Sequence, residues 1–245
     1  MNETIKLLQN HRSIRKFEDK NLDKDTVQTL VKSAQQASTS SYVQAYSIIG
    51  VTDPEKKKAI REISTQAHVE NNGHLFIFVV DYNRHKELAA KSDYDLSFDS
   101  TESMIVGVVD ATLAAENMAI AAESMGLGIV FLGSIRNNPA KMIEILNLPE
   151  GTFPVFGMAV GYPVEEGSFK ERLPFEAVYF ENEYPEFDDV KNVLNDYDEA
   201  VNQYYKSRDE NKRNDNWSKQ VVKTLSKKER LDVHDVLKKQ GFLGQ

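Results

Sequence analysis

At 245 residues, with 40% hydrophobic and 28% charged residues, the chain can bury a sizeable core without a metal or disulfide to hold it. It contains no cysteine, which excludes disulfide scaffolds, thiolate metal sites, cysteine nucleophiles and Cys-x-x-Cys relays. The net charge of −8 disfavours nucleic acid as a partner.

In chain order, helical periodicity predicts helices near 2–9, 24–37, 54–65, 85–91, 107–125, 139–147 and 189–205, with further helix in 217–240. The segment 107–125 is Ala-rich and apolar almost all round, and Gly126 stands where a C-terminal cap belongs. A helix without a polar face is expected at the centre of the core. Apolar runs predict strands at 47–51, 75–80, 129–132 and 155–160. Those at 75–80 and 155–160 are apolar on both phases, the pattern of strands covered on both faces. No stretch is read as a membrane span, because Asp110, Glu116, Asn117 and Glu123 interrupt the most apolar region. No signal peptide is visible at the N-terminus, so a cytoplasmic protein is expected.

The tail has its own charge pattern. Residues 181–200 carry eight acidic side chains against Lys191, and from 204 onward eleven Lys/Arg face six Asp/Glu. An acidic linker followed by a solvated helix explains this; so does a positive patch for a phosphorylated cofactor. We place the boundary between a core, 1–178, and an extension, 179–245. Tyr179, Phe180, Tyr184 and Phe187 are expected to anchor the start of that extension to the body or to a partner subunit.

Chemistry concentrates in His11-Arg12-Ser13-Ile14-Arg15-Lys16-Phe17. Two guanidinium groups, an imidazole and a hydroxyl within five residues suit a phosphate, which takes several charge-assisted donors. A solvated helix end reads the same way in isolation. Far along the chain stand Ser38-Thr39-Ser40-Ser41 and Lys170-Glu171-Arg172-Leu173-Pro174. With the stretches at 107–139, 153–163 and 208–217, these motifs, in this order, resemble the flavin-dependent nitroreductase family, in its NADPH-preferring, oxygen-insensitive branch. The resemblance runs nearly end to end.

It implies an α+β fold, a central, mainly antiparallel sheet wrapped by helices, in an intertwined homodimer with two flavin sites at the subunit interface. It also implies non-covalent FMN as cofactor and NADPH as reductant. His11 and Ser13 would meet the FMN phosphate or ribityl chain, with Arg12 carried along. Arg15 would approach N1 and O2, where negative charge collects on reduction. Lys170 and Arg172 match the family's second phosphate-binding motif. Thr39, Ser40 and Ser41 resemble a loop that reaches the flavin from the second subunit. Gln66 would hydrogen-bond the pyrimidine edge. Phe131, Leu132, Gly133 and Ser134 match the segment along the flavin face, where a backbone N–H near Gly133 would donate to N5. Many relatives carry a second glycine where this chain has Ser134.

Glu102 matches an acidic pocket residue, and a carboxylate favoured by the helix dipole explains it equally well. Arg208, Arg213 and Arg230 would meet the NADPH phosphates, Arg208 the 2′-phosphate. The implied activity is ping-pong, two-electron reduction of nitroaromatics and quinones by hydride transfer. Reduction of free flavin or small disulfides on the same scaffold, or non-catalytic flavin binding, are the alternatives.

Other chemistries find no motif. The sequence lacks Gly-x-Gly-x-x-Gly, a Walker loop and a Gly-x-Ser-x-Gly elbow, and its five histidines show no metal spacing. No metal is expected.

Overall fold

Phe76 and Phe78 point to one side of a strand, and Leu75, Ile77 and Val79 to the other; all five are fully buried. That alternation places the strand between two layers of helices. It is β2 (His74–Asp81) in a sheet with β1 (Tyr46–Val51), β3 (Gly128–Leu132) and β4 (Thr152–Gly161). The computed structural model describes residues 1–207 and 212–244, and among these the sheet runs β1-β2-β4-β3 with every pair antiparallel. The two strands expected to be covered on both faces are the central ones. Between Phe78 and Val79 the register slips, so that Val79 faces Pro154 and Val155 is the extra residue of a bulge. A proline has no N–H to offer the ladder, and the bulge accommodates it.

On one face, Phe76, Phe78, Ile129, Met158 and Val160 pack against α2 (Lys24–Gln35) and α5 (Thr101–Ser124). On the other, Leu75, Ile77, Val79, Val130 and Leu132 meet Ile60 of α3 (Pro54–Ser64) and Met142 of α6 (Pro139–Leu146). Short helices α1 (Glu3–Gln9) and α4 (Asn83–Ala89) lie outside these layers. Caps fix the helix starts: Asp23 accepts from Thr26 N, Asp53 precedes Pro54 at the first turn, and Asn138 precedes Pro139.

The central helix α5 begins earlier than its apolar run suggests. Ser100 accepts from Ser103 N, so the polar turn Thr101-Glu102-Ser103 is helical too. It ends as expected. Gly126 sits at φ +77°, its N–H bonds Glu123 O, and Leu127 N–H reaches back to Ala122 O. α5 has 24 residues and contains an 18-residue window of mean hydropathy 1.5, so by length and composition alone it is apolar enough to cross a membrane despite the charged residues that interrupt it. Its place in the fold is against the sheet, where Gly107 lets it approach Val80: a Cβ there would stand 2.5 Å from Val80 Cγ1.

The structure divides into two units, Met1–Ser168 together with the chain from Arg230 onward, and Phe169–Glu229. This division differs from the expected one, a core 1–178 and an unbroken extension 179–245. The return of the C-terminal stretch has an apolar cause. Val236 and Leu237 of the helix Val233–Lys239, with Phe242, are buried against Val80, Tyr82, Phe153 and Val155. The predicted helix over 217–240 is therefore interrupted: the run 226–232 carries no apolar stripe, and Arg230 turns the chain at φ +58°.

The second unit holds Phe187–Ser207 and Trp217–Leu225 as helices. Tyr197, Val201 and Tyr205, spaced four apart on one helix face, are buried against Leu173, Tyr204 and Trp217, a small core that sequence composition had not promised. Phe175 stacks on Tyr179, and Phe180 meets Tyr184 edge-on.

Candidate active site

The segment 11–17 is extended and lies along the edge of the sheet. Ser13 bridges Ile129 in parallel, Ile14 N–H donates to Ile129 O at 2.8 Å, and Phe17 bridges Pro163. Ile14 is buried and sits over Gly128, where a Cβ would come within 2.7 Å of it. With Ile14 turned inward, alternation puts Ser13 and Arg15 on the opposite side of the segment. His11 Nδ1 stands 2.6 Å from Glu123 Oε1 of α5. Arg12 departs from the others: its guanidinium reaches Glu166 at 3.3 Å and Asn10 at 3.2 Å, in a cavity of about 430 Å³ shared with Ile14.

A second convergence forms where β3 ends. Leu132 is buried and Phe131, half-exposed, meets Phe156 edge-on at 5.7 Å. The chain then turns through the 3-10 segment Gly133–Asn137. Ser134 Oγ donates to Gln66 Oε1 at 3.1 Å and lies 2.6 Å from Ser64 Oγ. Gln66 and Ser134, predicted separately, are thus brought into contact, with Ser64 as a third member. Next to Gln66, the His68 imidazole is buried, and burial first, then the Arg15 guanidinium, hold it less basic than an ordinary histidine. Arg15 and Gln66 therefore belong to one neighbourhood.

Arg230 joins the same turn. Its Nε and Nη2 both donate to Asn137 Oδ1, at 3.2 and 3.0 Å, while Asn137 Nδ2 donates to Ile63 O at 3.2 Å. Arg136 was not anticipated. Its guanidinium donates to Val155 O, the carbonyl of the bulged residue, and burial, then the nearby Arg230, lower its affinity for a proton. A lone arginine between a strand and a helix gives no signal in sequence; the bulge that orients it is tertiary.

The loop at Thr39, Ser40 and Ser41 is tied elsewhere, to Asp110 in the middle of α5. A cavity of about 560 Å³ opens beside it, lined by Gln36, Ser38, Thr39, Tyr42 and Tyr46 among others. Glu102 is exposed in the first turn of α5. Burial first, then Asp110 and Glu102, push the Tyr82 phenol up to about 12.

Lys170, Arg172 and Arg213 lie in the second unit. Arg172 donates to Lys170 O at 2.6 Å, while the Lys170 ammonium and the Arg213 guanidinium sit over the Tyr205 ring at 5.6 and 4.1 Å. Burial would raise the Tyr205 phenol, but the two cations outweigh it and lower it. Arg208 lies outside the described residues. Among the described residues no group of three or more His, Cys, Asp or Glu is placed to hold a metal.

The model of the nitroreductase family matches residues 8–162, and that of the nitroreductase family C-terminal domain matches 170–245. An NADPH-dependent oxidoreductase of Staphylococcus haemolyticus is 50% identical over 242 residues, covering 97% of this chain and 96% of its own length. An FMN reductase (NADPH) of Bacillus subtilis is 48% identical over 246 residues, covering 99% of both. Among solved structures, the NfrA1 nitroreductase from B. subtilis aligns with a TM-score of 0.96 at 47% identity, over 99% of this chain and 100% of that one. The NADPH:FMN oxidoreductase of Vibrio harveyi complexed with NAD+ aligns at 0.89 and 35% identity, over all of both chains. The fold and the motifs define a flavin-dependent oxidoreductase. The chain belongs to the nitroreductase family.

Proposed function

We propose that this enzyme reduces nitroaromatics and quinones by two-electron hydride transfer in a ping-pong cycle, with NADPH and the acceptor using the same place in turn. It is an NADPH-dependent flavin oxidoreductase with FMN as its cofactor. The observation that carries the reading is the neighbourhood of Arg15, Gln66, Gly133 and Ser134, a cation, an amide and an open turn assembled at the end of β3.

These residues fit FMN. His68 Nε2 is buried without a partner among the described residues, close to Arg15, as befits a pocket for a polar ring. At Gly133 a Cβ would meet nothing nearer than Arg136 Nη2 at 3.5 Å, so the turn leaves room for a flat group against its backbone. When bound, FMN accepts a hydride from NADPH and returns two electrons to the acceptor. The protein's part is binding and electrostatics. Arg15 offers positive charge at the ring edge that becomes negative, and His11 and Ser13 offer donors to the phosphate and ribityl chain. Arg12 would join them only by giving up its contacts with Glu166 and Asn10. Gln66, its oxygen engaged by Ser134, offers its N–H2 to the pyrimidine edge. Phe131 and Leu132 carry the chain to Gly133, whose backbone would face N5. Thr39, Ser40 and Ser41 contribute polar contacts, and Lys170 and Arg172 further phosphate-binding cations. Arg208, Arg213 and Arg230 read the NADPH phosphates.

The reading includes a homodimer. Ile105, Val109 and Leu113 form an exposed apolar stripe along α5 at four-residue spacing, a face suited to burial against a second copy. Within the extension 179–245 we assign the wrapping of the partner to the part before Arg230, since the chain from Arg230 onward packs into its own body. The compartment is the cytoplasm, where a reductase drawing on NADPH meets its reductant. A second reading, reduction of free flavin, is favoured by the name of the B. subtilis relative, an FMN reductase (NADPH).

The test is the anaerobic visible spectrum before and after NADPH. A flavin spectrum that bleaches, then returns on adding a quinone or nitroaromatic, supports the proposal. Return with free FMN alone moves the assignment to the second reading.

A further inference from the structure

The loop between α2 and β1 adopts a conformation its own sequence disfavours. Ser41, Tyr42 and Gln44 have φ of 48°, 60° and 55°, and none is glycine. Side chains with a Cβ enter this left-handed region at a cost, and three such residues within four positions persist only where the surroundings over-determine them.

Asp110 does this. It is fully buried in α5, and its carboxylate collects donors from both ends of the strained stretch. Oδ1 accepts Ser40 N–H at 3.0 Å; Oδ2 accepts the Thr39 hydroxyl at 2.6 Å and Ala45 N–H at 3.0 Å. Thr39 Oγ1 in turn accepts Gln44 N–H at 2.8 Å. The residues before the strained stretch and those after it are thereby clamped to one group. That group sits one helical turn beyond Gly107, where α5 is pressed against β2, so the loop is referenced to the sheet.

We propose that Asp110 is a positioning residue for the cofactor: it holds Thr39, Ser40 and Ser41 in the one arrangement that presents them to FMN. The inference rests on the cofactor role proposed above for that loop. Its chemistry requires a carboxylate. Two oxygens that only accept match three converging donors, whereas an amide supplies one acceptor and one donor. In either orientation an asparagine leaves one backbone N–H, of Ser40 or of Ala45, facing an N–H2 group.

The experiment compares the full-length wild type with Asp110→Asn and Asp110→Ala. Amide hydrogen exchange is followed at Ser40, Gln44 and Ala45 and, as reference, in β2. FMN affinity is measured by titrating flavin-stripped protein, and the visible circular dichroism of bound FMN is recorded. Leaving a buried donor unsatisfied predicts about tenfold faster exchange at the three loop amides and about tenfold weaker FMN binding in Asp110→Asn, with β2 unchanged and an altered flavin signal. Asp110→Ala is expected to lose more; if it does not fold, Asp110→Asn decides alone. Equal acceleration in β2 would make Asp110 a general support of the fold and overturn the proposal. So would loosened loop amides with FMN affinity intact. A wild type that takes up no FMN would defeat the cofactor reading itself, separately from anything the loop amides do.

Discussion

The Ser134 hydroxyl donates to Gln66 Oε1 across 3.1 Å, joining the turn that leaves β3 to the turn that leaves α3. The bond fixes which end of the amide faces outward, and Ser64, 2.6 Å from Ser134, holds the hydroxyl in place. A neutral hydrogen bond contributes about 0.5–1.5 kcal/mol. Ser134→Ala is therefore expected to weaken FMN binding by about two- to tenfold with little change in thermal stability. A fluorescence titration of flavin-stripped protein checks it; identical affinity would show that the amide needs no such orientation.

Arg15 and His68 report on each other. Removing the guanidinium in Arg15→Ala is expected to raise the His68 titration midpoint toward the ordinary histidine value, because burial alone then opposes protonation. Nuclear magnetic resonance of the imidazole carbons reads this directly. The same variant is expected to lose FMN affinity by about tenfold or more, the scale of a charge-assisted contact.

Gly128 sets how closely the segment 11–17 lies on the sheet. In Gly128→Ala the new Cβ would fall 2.7 Å from Ile14, and the segment must lift. Overpacking of this kind costs about 1–3 kcal/mol. Denaturant unfolding is expected to show that loss, and FMN titration a parallel weakening, since His11, Ser13 and Arg15 move with Ile14.

Arg230 is held at the Gly133 turn by two bonds to Asn137 Oδ1. We expect Arg230→Ala to raise KM for NADPH by about tenfold while leaving kcat nearly unchanged, the pattern of lost ground-state binding. Steady-state kinetics with saturating quinone measures it. A fall in kcat at constant KM would place Arg230 in the chemical step instead.

His74 gives the fold an acid-sensitive point. Burial, then the neighbouring Lys57, lower its pKa from 6.5 to about 4. Between those values the unfolded chain binds the proton and the folded one does not, so stability is complete above about pH 6.5 and declines as pH falls toward about 4. The unfolding midpoint is expected to drop across this window, and His74→Gln to flatten the slope. His68 is shifted the same way, so some slope should remain. An unaltered slope in His74→Gln would remove His74 as its source.

Much of the architecture was legible because it follows from local pattern. Two-phase apolar runs marked β2 and β4 as the central strands, and Gly126 marked the end of α5. The errors have physical causes too. The polar first turn of α5 is helical because Ser100 caps it, and the segment 217–240 breaks where charged residues leave no stripe to bury. The small core of Tyr197, Val201 and Tyr205 gives little signal in sequence because its members are spaced four apart in a charged segment and two of the three carry a phenol hydroxyl.

The family, the FMN and NADPH chemistry and the principal strands can be read from the chain, since each motif and each hydrophobic period that specifies them is contiguous. Which of those residues meet depends on packing between distant segments. Gln66 and Ser134 are far apart in the chain yet share a hydrogen bond, and Arg136 is aimed by the carbonyl of a bulged residue. Asp110, which looked like an interruption in an apolar helix, anchors a strained loop many residues before it. A buried carboxylate is stable only where donors converge on it, and that convergence exists only once α5 has packed against the sheet.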